Sequence, residues 1–134
     1  MAEVSYLLDP NQILSRKCDT AVGEGIIVKT SGNDTCAIAG ALPTAGLLGV
    51  NLYTTTVAND VVSIANGGVA RVKCGAAVTR DAYVTSDASG RAVTVALVAA
   101  GATYIQLLGQ MLETVANANE FGAVKITLAP AITT

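Results

Sequence analysis

The sequence predicts an all-β protein: a small antiparallel β-barrel built from two similar halves, with an extended N-terminal arm. Three observations carry this expectation. The first is an internal repeat. Leu47 to Asp60 reads LLGVNLYTTTVAND and Leu107 to Glu120 reads LLGQMLETVANANE, at a constant offset of 60 residues (107 against 47). A repeat of this length means that one supersecondary unit is used twice. The second is composition. The chain is 51% hydrophobic but only 4% aromatic. Its apolar mass is therefore Ala, Val, Leu and Ile mixed with Thr and Gly, which favours short strands and tight turns over long helices. The third is alternation. Val124-Lys125-Ile126-Thr127-Leu128 and Val69 to Cys74 switch between apolar and polar, the two-residue period of a half-buried antiparallel strand. A closed barrel is the simplest way for such strands to lose their free edges. A chain of 134 residues makes one domain, large enough to bury roughly two-thirds of its unfolded surface.

Residues 1–19 read as the arm. It holds the apolar patch Val4, Tyr6, Leu7 and Leu8, the turn signal Asp9-Pro10-Asn11, then Ile13, Leu14 and the basic pair Arg16-Lys17. The stretch has no counterpart in the repeat. It is either an edge strand on the domain or a tail that docks elsewhere, since termini stay loose unless tied down.

Residues 20–134 read as the barrel, with halves at about 20–73 and 74–130. In the first half, Gly25 to Lys29 is a β-branched strand, Thr30 to Asp34 a turn cluster, and Cys36 to Ala39 a returning strand. Gly40 to Gly46, with Pro43, is a loop, and Leu47 to Thr55 is the repeated strand. Val61 to Ile64 and Val69 to Val72 flank Asn66-Gly67, which predicts a hairpin, because Asn-Gly suits the positive φ of a type I′ turn. In the second half, Ala82 to Thr85 is a strand and Ser86 to Gly90 a turn, with Gly90 in the left-handed position. Ala92 to Val98, Tyr104 to Thr114 and Ala123 to Leu128 complete it. Gly49 and Gly109 sit inside strands, which marks a bulge or a close backbone approach at a barrel corner. Short helices of one or two turns fit Thr54 to Asp60 and Val115 to Glu120.

The chemistry-bearing residues are sparse. The chain has no His, which removes the commonest general base and metal ligand. Its net charge is −2, with no basic stripe to track a phosphate backbone, so nucleic acid is not an expected partner. Cys18, Cys36 and Cys74 lack CxxC spacing, which indicates neither zinc nor a disulfide framework. Buried free thiols in a reducing compartment are expected, with one disulfide plus one free thiol as the alternative. Asp81 and Asp87 form a nominal acidic pair, but Asp87 reads as a turn residue. Asp60 and Glu120 occupy matching places without the close-spaced donors of a calcium loop. GALPTAGLLG lacks the ending of a phosphate loop. The TTT run reads as a solvent-facing strand. No catalytic, metal or cofactor site is expected, and the chain reads as a non-enzyme. Glu3 stands where a signal peptide would be basic. Ala92 to Leu112 is uncharged and long enough to span a membrane, but its Gly, Thr and Gln residues suit strands better.

One resemblance adds to this reading. GVARVKCGAAVTRDAYVTSDASGRAVTV and then IQLLGQMLETVANANEFGAVKITL resemble the small capsid decoration, or cement, proteins of tailed bacteriophages. The matching positions are Gly68, Val69, Val72, Gly75 and Val78; Asp87, Gly90, Ala92 and Val93; and Gly109, Leu112, Gly122, Val124, Ile126 and Leu128. The resemblance covers about residues 47–128 and rests on turn glycines and core apolars. It implies a small β-barrel made in the host cytoplasm and carried on the outer face of the virion's capsid. There it would bind the major capsid protein as a homo-oligomer, a trimer for preference, and stabilise the shell by bridging neighbouring subunits. On this reading Val4, Tyr6, Leu7, Leu8, Arg16 and Lys17 are the candidate contacts. Two alternatives stand beside it: a carbohydrate- or receptor-binding β module on a virion, which needs aromatics around a groove, and a small hydrolase acting through Asp81 or Asp87.

Overall fold

The computed structural model describes residues 9–41, 43–95 and 103–133. They form β1 (Asp9–Cys18), β2 (Ile27–Thr30), β3 (Thr35–Ile38), β4 (Leu47–Asn51), β5 (Val61–Lys73) and β6 (Tyr83–Ser86). Then follow β7 (Ala92–Thr94), β8 (Thr103–Gln106), β9 (Gly109–Met111), β10 (Phe121–Ile126) and β11 (Pro130–Thr133). The protein is all-β, as expected. The described residues contain no helix, and none is long and apolar enough to cross a membrane.

Five strands close a barrel within the first half. The ring runs β1, β3, β2, β4, β5 and back to β1. Every pairing is antiparallel except β1 with β3, which is parallel and joins only Lys17 to Thr35 and Cys18 to Cys36. Residues 9–18 are thus a strand of the barrel wall with a partner on each side, which corrects the expectation of an arm or edge strand for that stretch. They pair with β5 from Asp9 opposite Val69 to Lys17 opposite Val61.

The second half repeats this ring. Lys17 opposite Val61 becomes Lys73 opposite Phe121, Val28 opposite Gly49 becomes Val84 opposite Gly109, and the parallel pair Cys18–Cys36 becomes the single bridge Cys74–Ala92. The first three strands of each half therefore repeat at an offset of 56 (74 against 18), the last two at 60. This corrects the expectation that the N-terminal stretch has no counterpart. Ile13 to Val22, ILSRKCDTAV, matches Val69 to Val78, VARVKCGAAV. Four extra residues between β7 and β9 shift the register and hide the match.

Strand β5 belongs to both halves. Val61 to Ala65 completes the first ring, against β1 and β4, while Val69 to Lys73 opens the second, against β10. The expected hairpin at Asn66-Gly67 is not formed. A type I′ turn needs two positive φ angles, and here only Gly68, at 75°, has one. The Asn66 amide nitrogen donates to the Leu48 carbonyl at 2.6 Å, which ties that side chain to β4. The chain bends at Gly68 instead of reversing. The helices expected at 54–60 and 115–120 are also absent. Thr54 and Thr55 hydroxyls accept the Glu24 and Val22 amides at 3.0 Å, which pins this backbone against the loop before β2.

Two apolar clusters follow. One fills the first barrel: Cys18, Val22, Val28, Cys36, Val62 and Ile64. The other fills the second barrel and the joint, where Ile27, Leu47 and Val50 meet Val72, Leu108, Met111 and Val124. Backbone bonds knit the joint: Lys73 N–H to the Gly25 carbonyl at 2.9 Å and Ile27 N–H to the Gly90 carbonyl at 2.7 Å. The Phe121 ring sits where a Gly25 side chain would be.

The repeated glycines are the close approaches the sequence predicts. A Cβ on Gly49 would run into the Ala65 carbonyl oxygen, and one on Gly109 into that of Lys125, which are themselves 60 apart. Asn59 and Asn119 share a left-handed φ of 67° and 69°, and their amides donate to the Cys18 and Cys74 carbonyls.

Gly49→Ala and Gly109→Ala should each destabilise the fold by about 2–4 kcal/mol in urea unfolding, because backbone must move. Gly40→Ala, with open space around it, should stay within about 0.5 kcal/mol.

Candidate functional site

The candidate contacts Val4, Tyr6, Leu7 and Leu8 lie outside the described residues. Arg16 and Lys17 lie on β1. Successive strand residues face opposite ways, so the pleat splits the pair: Leu14, Arg16 and Cys18 share one phase, and Ile13, Ser15 and Lys17 the other. Arg16 is half-buried and its guanidinium donates to the Ser15 carbonyl at 2.9 Å. Lys17 is exposed. Both still reach one shallow, open groove, lined with Ser15, Asp34, Thr35 and Val61. Its open form and mixed lining suit a protein contact better than an enclosed small molecule.

Exposed apolar side chains mark the same face. Ile13 and Val61 are 57% and 59% exposed. Sequence reasoning did not single them out, and the repeat explains them. Val61 is the counterpart of Phe121, which packs over Gly25 in the joint. At the opposite end, Tyr83 is 52% exposed, yet its counterpart Ile27 is fully buried in that joint. Positions that are covered where the halves meet are thus uncovered at the outer ends. The repeat at offset 56 was the signal that would have found Tyr83.

The acidic candidates have structural partners. The Asp87 carboxylate accepts from the Ser89 and Arg91 amides at 2.9 Å and from Arg91 Nε at 3.0 Å, which fixes the β6–β7 turn. Asp81 has a positive φ of 74°, and its carbonyl accepts the Gln110 amide at 3.0 Å. Glu120 caps Asn117 N–H at 3.1 Å. Among the described residues no three His, Cys, Asp or Glu side chains converge on a metal-sized site.

All three cysteines are buried free thiols. Burial pushes the Cys36 thiol up to about 12, with the neighbouring Cys18 adding to the effect. Burial, then Glu113 and Glu120, push Cys74 up to about 11. This direction opposes the lowered pKa of a reactive thiol.

Comparison with known proteins adds the fold. No family model matches the chain, and no curated protein matches it. Among solved structures, the crystal structure of the head fiber gp8.5 N base of bacteriophage phi29 aligns with a TM-score of 0.64 at 14% identity, covering 90% of this chain and 97% of that one. The chain shares the fold of a bacteriophage head fiber base. At 90% coverage the match spans both halves of the chain.

The raised thiols give a pH dependence. Both groups stay protonated in the folded chain above 9.0, where the unfolded thiols ionise. The stability they contribute is whole below pH 9 and is lost as pH rises through 11 to 12. The urea midpoint should fall over that window, and fall less in Cys74→Ala. A midpoint flat to pH 11 would contradict the burial of these thiols.

Proposed function

We propose that this chain is a non-enzymatic structural protein of a bacteriophage virion. It sits on the outer face of the capsid and stabilises the shell by bridging neighbouring major capsid subunits, as a homo-oligomer with a trimer favoured. The observation that carries this reading is the fold shared with the phi29 head fiber base over 90% of the chain. The decoration-type motifs and the lack of His support it.

The groove beside β1 is the contact we favour. Lys17 supplies charge, and Ile13 and Val61 supply exposed apolar area. Such a mixture resembles an interface with an apolar centre and a polar rim. A stable contact buries about 800 Å² per partner, more than this groove alone offers. Residues 1–8, which adjoin β1 in sequence and carry Val4, Tyr6, Leu7 and Leu8, would supply the remainder. The runner-up, a glycan-binding module, needs aromatics around a groove, and the lining named above contains none.

Co-sedimentation of the purified chain with capsids built from the major capsid protein tests this. Binding in a fixed copy number per capsid is expected. Deleting residues 1–8 should weaken binding about tenfold or more while the thermal midpoint changes little. Lys17→Glu together with Val61→Asp should do the same, the scale of losing one or two interface anchors. Undiminished binding by both variants would refute the contact, and no binding by the parent chain would refute the function.

A further inference from the structure

We propose that Cys18 and Cys36 form a disulfide that clasps the seam of the first barrel, by exchange with a small-molecule disulfide such as oxidised glutathione. The geometry carries this. Cys18 and Cys36 are register partners on the parallel strands β1 and β3. Neighbouring strands lie about 4.8 Å apart, inside the Cα separation of about 4.4–6.8 Å that a disulfide spans. Both side chains are fully buried in the same cluster.

The placement gives the bond a purpose. The β1–β3 seam shares with β4–β5 the shortest register in the ring, two pairs, and is its only parallel pairing, with the cysteines as one of its two pairs. Strand β5, in contrast, holds β1 from Asp9 to Lys17. In the second half the corresponding pair is Cys74 and Ala92, which cannot link. There the seam is strapped by the first half: Gly25 accepts from Lys73 N–H and Ile27 N–H donates to Gly90. The thiol pair occurs in the half that has no such strap among the described residues.

The exchange balances. One cysteine, as thiolate, attacks the glutathione disulfide. A mixed disulfide forms and one glutathione leaves as thiolate. The second cysteine, as thiolate, attacks the protein sulfur of that mixed disulfide. The Cys18–Cys36 bond forms and the second glutathione leaves. The two protons lost by the cysteines pass to the two released glutathiones. Two cysteines are oxidised and one disulfide is reduced. Since burial keeps both sulfurs from solvent, the reaction runs through transient opening of the seam.

The test uses the full chain incubated with oxidised glutathione at mildly alkaline pH, with and without dilute urea to promote opening. The product is then unfolded, alkylated and mapped by mass spectrometry. One alkylated cysteine, Cys74, and a peptide link between Cys18 and Cys36 are expected. The linked protein should melt about 5–10 °C higher, a gain removed by dithiothreitol, since the loop closed is of moderate length. Cys36→Ala should fold, as Ala92 does in the same place, and show two free thiols and no gain. Three alkylated cysteines in the parent chain under both conditions, a link through Cys74, or a linked protein that melts no higher would each overturn the proposal.

Discussion

Everything in this fold depends on β5 having both of its edges used by both halves. Its N-terminal part closes the first ring between β1 and β4. Its C-terminal part pairs with β10 and runs on into Cys74, whose bridge to Ala92 closes the second ring. A strand shared in this way cannot slip, because a one-residue shift would turn the buried Val62, Ile64, Ala70 and Val72 outward together. The bend at Gly68 lets one strand serve two curvatures. The joint then follows: Gly25 yields space to Phe121 and its carbonyl to Lys73, so the halves meet through backbone as well as side chains.

This arrangement explains what could be read from the sequence. Repeated letters fall where the backbone leaves little choice. Gly49 and Gly109 face a carbonyl, and Asn59 and Asn119 take the left-handed region. The strands themselves were legible from alternation and turn residues. The shared strand was not, because Asn66-Gly67 carries strong local turn chemistry that pairing on both edges overrides. The match of residues 13–22 with 69–78 was hidden for a different reason. Its positions meet different surroundings in the two halves, so Arg16 stands where Val72 is buried, and the offset differs by four from that of the LLG segment.

The candidate contact surface was only partly legible. Arg16 and Lys17 are visible as charge, but the pleat sends them to opposite phases of β1. Val61 and Tyr83 look like ordinary strand residues. Their exposure arises because a tandem of two units covers each joint face once and leaves one copy of each uncovered at an end. An exposed valine or tyrosine of this origin offers a surface to a neighbour, as the proposed structural role requires. The same asymmetry separates the two seams, one strapped by the other half and one lined by a pair of thiols.

Native-state hydrogen exchange of β5 tests the central claim most directly, that one strand makes two barrels into one cooperative block. Amides from Val62 to Val72 should exchange with a single free energy, equal to that of global unfolding. Distinct free energies for Val62 to Ala65 and for Ala70 to Lys73, with one half opening while the other stays protected, would contradict it.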